Sequence, residues 1–243
     1  MKIESALYLI PVGISEASLE EVLPVSNFEI IRQIRYFIVE NLRSARRFLK
    51  RCDKSIDIST ITFYELNGHT DPDEVSSYLM ALHRGEPIGL MSEAGCPGVA
   101  DPGALAVRIA QNEGMKVKPL IGPSSILLAL MGSGLNGQNF HFHGYLPVET
   151  REREKSLREL ESASQRFGVT QIFIETPYRN QKMFESLIHT LKPETLLCVA
   201  RSVTDPVKES FVTKKVKDWN VRSDQIGKEP VIFLFYCLNP YRD

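Results

Sequence analysis

The sequence predicts an α/β protein with two domains, residues 1–121 and 122–243, each built around its own β-sheet. In the first half, short apolar runs of strand length alternate with helical segments, and tight turns rich in glycine and proline follow three of these runs. In the second half more of the predicted strands are neighbours along the chain. We therefore expect a largely parallel sheet in the first domain and a mixed sheet in the second. Since no long linker separates the halves, we expect them to pack closely, with a cleft between them.

Composition and charge exclude several classes of protein. The chain has 243 residues, of which 43% are hydrophobic, and this is enough to bury a sizeable core. Its formal net charge of −1 means that the chain as a whole does not attract nucleic acid, although this value does not exclude a local basic patch. No opening segment resembles a signal peptide, and no apolar run approaches the roughly 20 residues of a membrane span. The 4 cysteines lack paired spacing, which favours a reducing cytosol over disulfides or zinc.

The first half divides into alternating strands and helices. The first strand is expected at 6–10, because Pro11-Val12-Gly13 ends an apolar run abruptly. A capped helix is expected to begin at Ser15, because glutamates follow in its first turn. The remaining strands are predicted at 34–39, 61–64, 87–91 and 115–121, and the remaining helices at 44–51, 71–84 and 104–112.

The helix predicted at 44–51 and the residue before it are strongly basic. Its cations are Arg43, Arg46, Arg47, Lys50 and Arg51. Arginines and lysines at this spacing can hold phosphates. They are also typical of a solvated helix face, which this stretch alone favours.

The segment 92–103 joins the fourth predicted strand to a helix and contains 3 glycines and 2 prolines. Such a loop gives up backbone entropy and side-chain packing. It is either an ordinary strand-to-helix turn or a place where backbone approaches a ligand at the carboxyl edge of the sheet. A similar turn, Gly122-Pro123-Ser124-Ser125, presents N–H groups and hydroxyls where the next helix begins. No G-x-G-x-x-G or phosphate-loop motif is present, which disfavours a nicotinamide or nucleoside-triphosphate enzyme.

The second half begins at this turn. Helices are predicted at 126–131, 150–167 and 181–191, and strands at 140–145, 170–174, 195–200 and 230–237, with 208–212 pairing back as a hairpin. His141 and His143 would share one face of a strand, which more often indicates a half-exposed surface or a cleft wall than a metal site. We predict no metal site.

Three turns together resemble those of the tetrapyrrole methylase superfamily, the class III S-adenosylmethionine (SAM)-dependent methyltransferases. They are Gly95-Cys96-Pro97 with Ala100-Asp101-Pro102-Gly103, Ile121-Gly122-Pro123-Ser124-Ser125 with Gly132-Ser133-Gly134-Leu135, and Phe142-His143-Gly144-Tyr145-Leu146-Pro147. Further matches resemble the branch that methylates ribose 2′-hydroxyls of small-subunit ribosomal RNA: Leu7-Tyr8-Leu9-Ile10-Pro11 with Gly13, Glu175-Thr176-Pro177-Tyr178-Arg179, and Ala200-Arg201 followed by Thr204. The resemblance spans nearly the full chain.

The resemblance implies a homodimeric enzyme whose subunits hold SAM in the cleft between two α/β domains, and the reducing cytosol favoured by the cysteines predicts a cytoplasmic location. The residues expected to contact SAM lie at loops of both halves: Pro11, Val12, Gly13, Gly95, Cys96, Val99, Ser124, Ser125, Glu175, Thr176, Ala200, Pro230 and Val231. A methyl donor bound by loop backbones requires glycine and proline turns, and Val99 and Val231 can cover its apolar parts. The expected acceptor is ribosomal RNA or the small ribosomal subunit.

The acceptor site is less well defined by the residues. Arg43, Arg179 and Arg201 are candidate phosphate contacts, because a guanidinium binds phosphate with two hydrogen bonds. Candidate general bases are Glu93, Asp101, His143 and Glu175. Each has a structural alternative: Asp101 can cap its helix, Glu93 can order its loop, and Glu175 can order the SAM cleft.

Two departures from the branch fall where the acceptor would lie. Ile14 stands where asparagine is usual, and Asn41-Leu42-Arg43 keeps only the arginine of an acid-threonine-arginine sequence. Two alternatives therefore stay open: a methyltransferase of a tetrapyrrole or other small molecule, and a protein that binds SAM or RNA without transferring a methyl group.

Overall fold

The computed structural model describes residues 2–238, and the chain divides between Ser124 and Ser125 into two units. We call residues up to Ser124 unit 1 and those from Ser125 onward unit 2. Each unit contains one β-sheet of five strands.

The sheet of unit 1 is parallel throughout. Its strands are β1 (Leu7–Leu9), β2 (Tyr36–Val39), β3 (Thr62–Glu65), β4 (Ile88–Met91) and β5 (Val117–Pro119). They lie in the order β3-β2-β4-β1-β5, and every neighbouring pair is parallel. The central strand β4 is buried along its whole length. All carboxyl ends therefore lie at one edge, as the alternating pattern predicts.

Helices cover both faces of this sheet. They are α1 (Leu19–Val22), α2 (Val25–Ile31), α3 (Leu42–Cys52), α4 (Val75–Tyr78), α5 (Met80–His83) and α6 (Ala104–Asn112), with 3₁₀ turns at Ile58–Thr60 and Pro72–Glu74. Two apolar clusters form the core. One contains Phe37, Phe48 and Leu49, and the other contains Ile38, Leu79 and Leu90.

Two helix predictions in unit 1 differ from the structure, and one helix was not predicted. No helix begins at Ser15: its hydroxyl accepts from the Ala17 N–H in a turn, and α1 begins at Leu19. The short helix α2 was not predicted. The segment 71–84 is broken into three pieces, because around Leu79 the backbone forms i→i−3 hydrogen bonds, from Leu79 N to Ser76 O and from Leu82 N to Leu79 O.

The sheet of unit 2 is mixed. Its strands are β6 (Phe140–Tyr145), β7 (Thr170–Ile174), β8 (Leu196–Arg201), β9 (Ser210–Lys215) and β10 (Val231–Tyr236). The order is β6-β7-β10-β8-β9, in which only the β6–β7 pair is parallel. The predicted return of 208–212 occurs as β9, antiparallel to β8. The α/β class and the contrast between a parallel and a mixed sheet are confirmed.

Unit 2 adds the helices α7 (Ser125–Ser133), α8 (Thr150–Phe167) and α9 (Asn180–Thr190), and a 3₁₀ turn at Val216–Asp218. The helix α8 begins where the Glu149 side chain accepts from the Glu152 N–H, and it ends at Gly168 with φ 65°. Strand β10 is wholly buried, and the Phe173 and Phe233 rings stack at 5.7 Å between centroids. Within residues 2–238, none of the helices combines the length and the apolar character that crossing a bilayer demands.

Candidate functional site

Two corners of unit 1 are joined by backbone hydrogen bonds at the carboxyl edge of the sheet. Val12 follows β1, and Gly95 follows β4. The Val12 N–H donates to the Gly95 carbonyl at 2.9 Å, and the Gly95 N–H donates back to the Val12 carbonyl at 3.0 Å. We call residues 11–13 the first loop and residues 92–103 the central loop. These two hydrogen bonds join the two loops into one structure.

The corner after β5 packs against the same two loops. A Cβ atom added to Gly122 would lie 2.2 Å from Pro11 Cβ, so only glycine allows this approach. The Cys96 thiol lies 3.4 Å from the Pro123 carbonyl, to which it donates. Burial raises the pKa of Cys96, which keeps this thiol protonated. The corners after β1, β4 and β5, all of which carry predicted SAM contacts, therefore lie against one another within unit 1.

Asp101 organises the central loop from inside. The Gly98 N–H donates to both of its carboxylate oxygens at 2.9 Å, and the Gly103 N–H donates to Oδ1 at 2.7 Å. The loop passes through left-handed backbone at Gly98 (φ 84°) and at Ala100 (φ 60°), which is unusual for a residue with a Cβ. These contacts favour the structural alternative for Asp101, since its oxygens are occupied by the loop's own N–H groups.

An open, mostly apolar pocket of about 480 Å³ lies beside the corners. Pro11, Cys96 and Val99, three of the residues predicted to contact SAM, line it together with Leu120 and Arg108. The volume is within the range of small-molecule sites, roughly 300–1,000 Å³. Val99 is 50% exposed, so its apolar surface is available to a ligand. The residues of unit 1 therefore fit a molecule with the size and partly apolar character of SAM.

The N-terminus of α3 touches the central loop. Asn41 caps the helix by accepting from the Arg43 and Ser44 N–H groups at 2.9 and 3.1 Å. The Ser44 hydroxyl donates to Glu93 Oε1 at 3.2 Å, and the Glu93 N–H donates to a carboxylate oxygen of Glu40 at 3.0 Å. Glu93, a candidate base, and Arg43, a candidate phosphate contact, are both exposed, and the Ser44 contact brings the N-terminus of α3 against the loop that carries Glu93.

Unit 2 carries a polar cluster at the end of β7. The carboxylate of Glu175 is almost fully buried and pairs with the Arg179 guanidinium, which also donates to Thr176 Oγ1 at 3.2 Å. The second carboxylate oxygen of Glu175 has no hydrogen-bond partner among the described residues. A buried carboxylate oxygen is costly to leave unpaired, so this one is available to a hydrogen-bond donor of a ligand or water.

A second pair lies at the matching end of β8. Arg201 stands opposite Val231 in the sheet, and its guanidinium lies 4.0 Å from the Glu229 carboxylate. Ala200 and Val231 are buried, so as ligand contacts they offer little side-chain surface. The Pro230 carbonyl is also occupied, because it accepts from the Ser202 N–H at 2.9 Å. Ser202 and Thr204 have φ of 46° and 69°, a strained conformation that is often found at functional sites.

His143 lies on β6 and contacts a different set of residues. Its Nε2 atom is 2.6 Å from Gln171 Oε1, and its ring centroid is 4.2 Å from that of His141, on the same strand face as predicted. Burial lowers the pKa of His143, so the imidazole is neutral at neutral pH. No group of three or more metal-ligating side chains occurs in the part of the chain that the structure describes.

Sequence reasoning missed two residues that hold these sites. Asn27 of α2 is buried and donates from its amide to the Ile121 carbonyl at 2.8 Å, which fixes the corner after β5. Asn180 is also buried and donates to the Glu229 carbonyl at 2.8 Å. A polar residue on the apolar face of a helical segment is the signal that could have identified Asn27.

The chain is similar to curated proteins named ribosomal RNA small subunit methyltransferase I. It is 29% identical over 217 residues to the one from Vibrio cholerae, covering 88% of this chain and 71% of that protein. It is 31% identical over 211 residues to the one from Mesorhizobium japonicum, covering 85% and 66%. The match to the Escherichia coli O157:H7 protein covers 48% of that protein's length. The chain belongs to the tetrapyrrole methylase superfamily of methyltransferases.

Solved structures support the fold of this superfamily. The chain matches the methyltransferase CobJ with a TM-score of 0.62 and 15% identity, covering 96% of this chain and 99% of that one. It matches cobalt precorrin-4 methyltransferase CbiF with a TM-score of 0.60 and 15% identity, covering 96% and 95%. At this identity the matches show the fold alone. No protein-family model matches the chain. The superfamily predicted from three turns is confirmed.

Proposed function

We propose that this protein transfers a methyl group from SAM to a ribose 2′-hydroxyl of small-subunit ribosomal RNA. The observation that carries the proposal is the similarity to proteins named ribosomal RNA small subunit methyltransferase I over most of the chain. The joined corners of unit 1 and the pocket beside them support it independently, because they fit SAM by size and character.

In this proposal SAM is held by backbone and apolar contacts. Pro11, Val12, Gly13, Gly95, Cys96 and Val99 supply the corner surfaces, and Ser124 and Ser125 add hydroxyls beside the turn after β5. The contacts expected from unit 2 are Glu175, Thr176, Ala200, Pro230 and Val231. Of these, Glu175 is supported best, by its unpartnered buried oxygen. When bound, SAM supplies a methyl group made electrophilic by its cationic sulfur.

The chain's own task is to align the ribose hydroxyl and to accept its proton. Asp101 is bound by two loop N–H groups, so it acts as a positioning residue for the corner. Glu175 is buried against Arg179, and the His143 imidazole is held by Gln171. Glu93 is exposed and lies in the central loop, where one of its carboxylate oxygens accepts a hydrogen bond from the Ser44 hydroxyl. We therefore take Glu93 as the proton acceptor of this proposal.

Radiolabelled SAM and small ribosomal subunits from cells that lack the modification test the proposal. We expect label in RNA, and after nuclease digestion in a 2′-O-methylated nucleoside. Fully modified subunits are the matched control and should take up little label. Label in a base, or in neither RNA preparation while calorimetry shows SAM binding, would contradict the proposal.

A tetrapyrrole acceptor is the alternative, because two of the solved structures with this fold are named as methyltransferases of cobalt precorrin-4 and of uroporphyrin-III, although they show only a shared fold. Tetrapyrrole precursors therefore form the second substrate arm of the same assay. We also propose a cytoplasmic homodimer. Mass measurement in solution tests the dimer, and fractionation of cells tests the location.

A further inference from the structure

One face of α3 carries cations with no acids among them. Arg43, Arg46, Arg47 and Lys50 follow one another at the i, i+3, i+4 and i+7 spacing of a single helix face, and all are exposed. The opposite face is apolar and buried through Ala45, Phe48 and Leu49. We call these four cations the basic face. It extends over about two helical turns, or roughly 10 Å.

This face is self-repelling. None of its four side chains makes an ion pair with another residue in the described range 2–238. Arg43 and Arg47, and Arg46 and Lys50, are like-charge pairs at i, i+4, which destabilise a helix. Arg43 also lies in the first turn, where the helix dipole disfavours a cation. Acids lie at its margins: Glu93 contacts Ser44 at one end, and at the other Asp57 has a pKa lowered chiefly by hydrogen bonds from Ser59 and to a smaller extent by Lys50.

A solvated helix elsewhere in this chain looks different. The exposed face of α8 mixes signs, and its charges pair along the helix: Arg158 with Glu154 at 3.2 Å and Lys155 with Glu159 at 4.0 Å. The segregation of charge on α3 therefore goes beyond the solvated face that the sequence alone favours. The whole chain has a formal net charge of −1, so the excess of positive charge is local.

The basic face begins at the candidate site. The hydroxyl of Ser44, one residue after Arg43, donates to the carboxylate of Glu93 in the central loop at 3.2 Å. A chain of phosphates lying along α3 would therefore lead to the loop that carries the proposed proton acceptor. Arg46 lies 5.5 Å from the Phe63 ring centroid, which fixes its guanidinium by a cation–π contact.

We infer that the basic face of α3 is a docking surface for the sugar-phosphate backbone of the acceptor RNA. This inference rests on the proposed function, since it assigns the surface by which the RNA reaches that site. Guanidinium and ammonium groups bind phosphate without reading sequence. The face therefore supplies affinity and direction, and leaves the choice of nucleotide to other groups.

The test compares R47Q/K50Q with R151Q/K155Q, a matched control that removes two exposed cations from α8. Binding of a short single-stranded RNA of mixed sequence is measured over a series of salt concentrations. We expect R47Q/K50Q to bind RNA about tenfold more weakly, and its slope of log affinity against log salt to fall by about 1.4, or roughly 0.7 for each lost phosphate contact. The control should match the wild type in both. SAM affinity by calorimetry should be unchanged in both variants.

The outcomes separate this inference from the proposed function. If the wild type methylates ribosomal RNA and R47Q/K50Q keeps its KM for small subunits and its salt slope, the docking surface is wrong and the function stands. If the wild type binds RNA through this face but transfers no methyl group, the surface stands and the function fails. Binding to phosphatidylglycerol vesicles in place of RNA, lost in R47Q/K50Q, would assign the face to a membrane surface and overturn the inference.

Discussion

At Gly122 the chain has room for a hydrogen atom and nothing larger on the side that faces Pro11. We expect Gly122→Ala to push the corner after β5 away from the first loop. The unfolding free energy should fall by about 1–3 kcal/mol, as in other overpacked sites, and SAM affinity should fall by at least about tenfold, the equivalent of about 1.4 kcal/mol. Denaturant titration and calorimetry measure the two effects.

Gly137→Ala is the control, because a Cβ atom there meets nothing within 4 Å. It should leave SAM affinity unchanged. If Gly122→Ala binds SAM as the wild type does, the contact between these corners is irrelevant to the site.

Asp101 offers a way to distinguish a positioning residue from a base. In Asp101→Asn the negative charge is removed, and an NH₂ group in place of Oδ2 faces the Gly98 N–H, which loses its hydrogen bond to Oδ2 and keeps only the one to Oδ1. Such a loss costs about 1–3 kcal/mol, so we expect weaker SAM binding together with a higher KM for SAM. A fall in kcat with unchanged SAM affinity would instead make Asp101 the base.

Glu93→Gln should lower kcat and leave SAM affinity unchanged, the opposite of what we expect for Asp101→Asn. If Glu93 accepts the proton, kcat falls by about 10²–10⁴-fold, while SAM affinity and RNA affinity stay near the wild-type values. Glu40→Gln is a suitable control, because Glu40 contacts the Glu93 N–H and not its carboxylate. Equal loss of activity in both variants would indicate a role in loop order.

At the scale of elements, α3 depends on its cap. Asn41→Ala removes the acceptor of two N–H groups and should lower the unfolding free energy by about 0.5–2 kcal/mol. Asn41→Asp keeps the cap and should differ from the wild type by a few tenths of a kcal/mol. Urea titration of the three proteins measures this. Equal stability of the alanine variant would show that packing of Phe48 and Leu49 alone holds the helix.

The helices that the sequence predicted well are those with a glycine at one end. The helix at 150–167 ends before Gly168 and the helix at 104–112 follows Gly103, and both agree with the structure. Between Pro72 and Gly85 the segment 71–84 has no such residue, so local propensity predicted one helix where the structure has i→i−3 hydrogen bonds around the buried Leu79. No local sequence pattern marks this interruption.

Across the whole molecule, the sequence predicted the loops of the site better than the roles of their side chains. Corners built from glycine and proline are recognisable, because few other residues adopt their geometry, and three of them contact one another in unit 1. Side-chain roles were less predictable. Nothing in the sequence says that Asp101 is saturated by Gly98 and Gly103, or that an oxygen of Glu175 is left unpaired. The SAM contacts expected from unit 2, and the cleft between the domains, stay predictions.

The pH dependence of folding follows from a buried imidazole. Burial lowers the pKa of His143 below its ordinary value of 6.5 in the folded protein. The unfolded chain therefore binds the proton more readily, and the contribution of His143 to stability is complete above pH 6.5 and is lost as the pH falls through the folded pKa. We expect the unfolding free energy, from urea titrations across this range, to decline on acidification less steeply in His143→Gln than in the wild type. His141→Gln removes a neighbouring imidazole that contributes to the lowered pKa of His143 after burial, so it should reduce the slope by less than His143→Gln does. If both variants match the wild type, the His143 proton is not linked to folding.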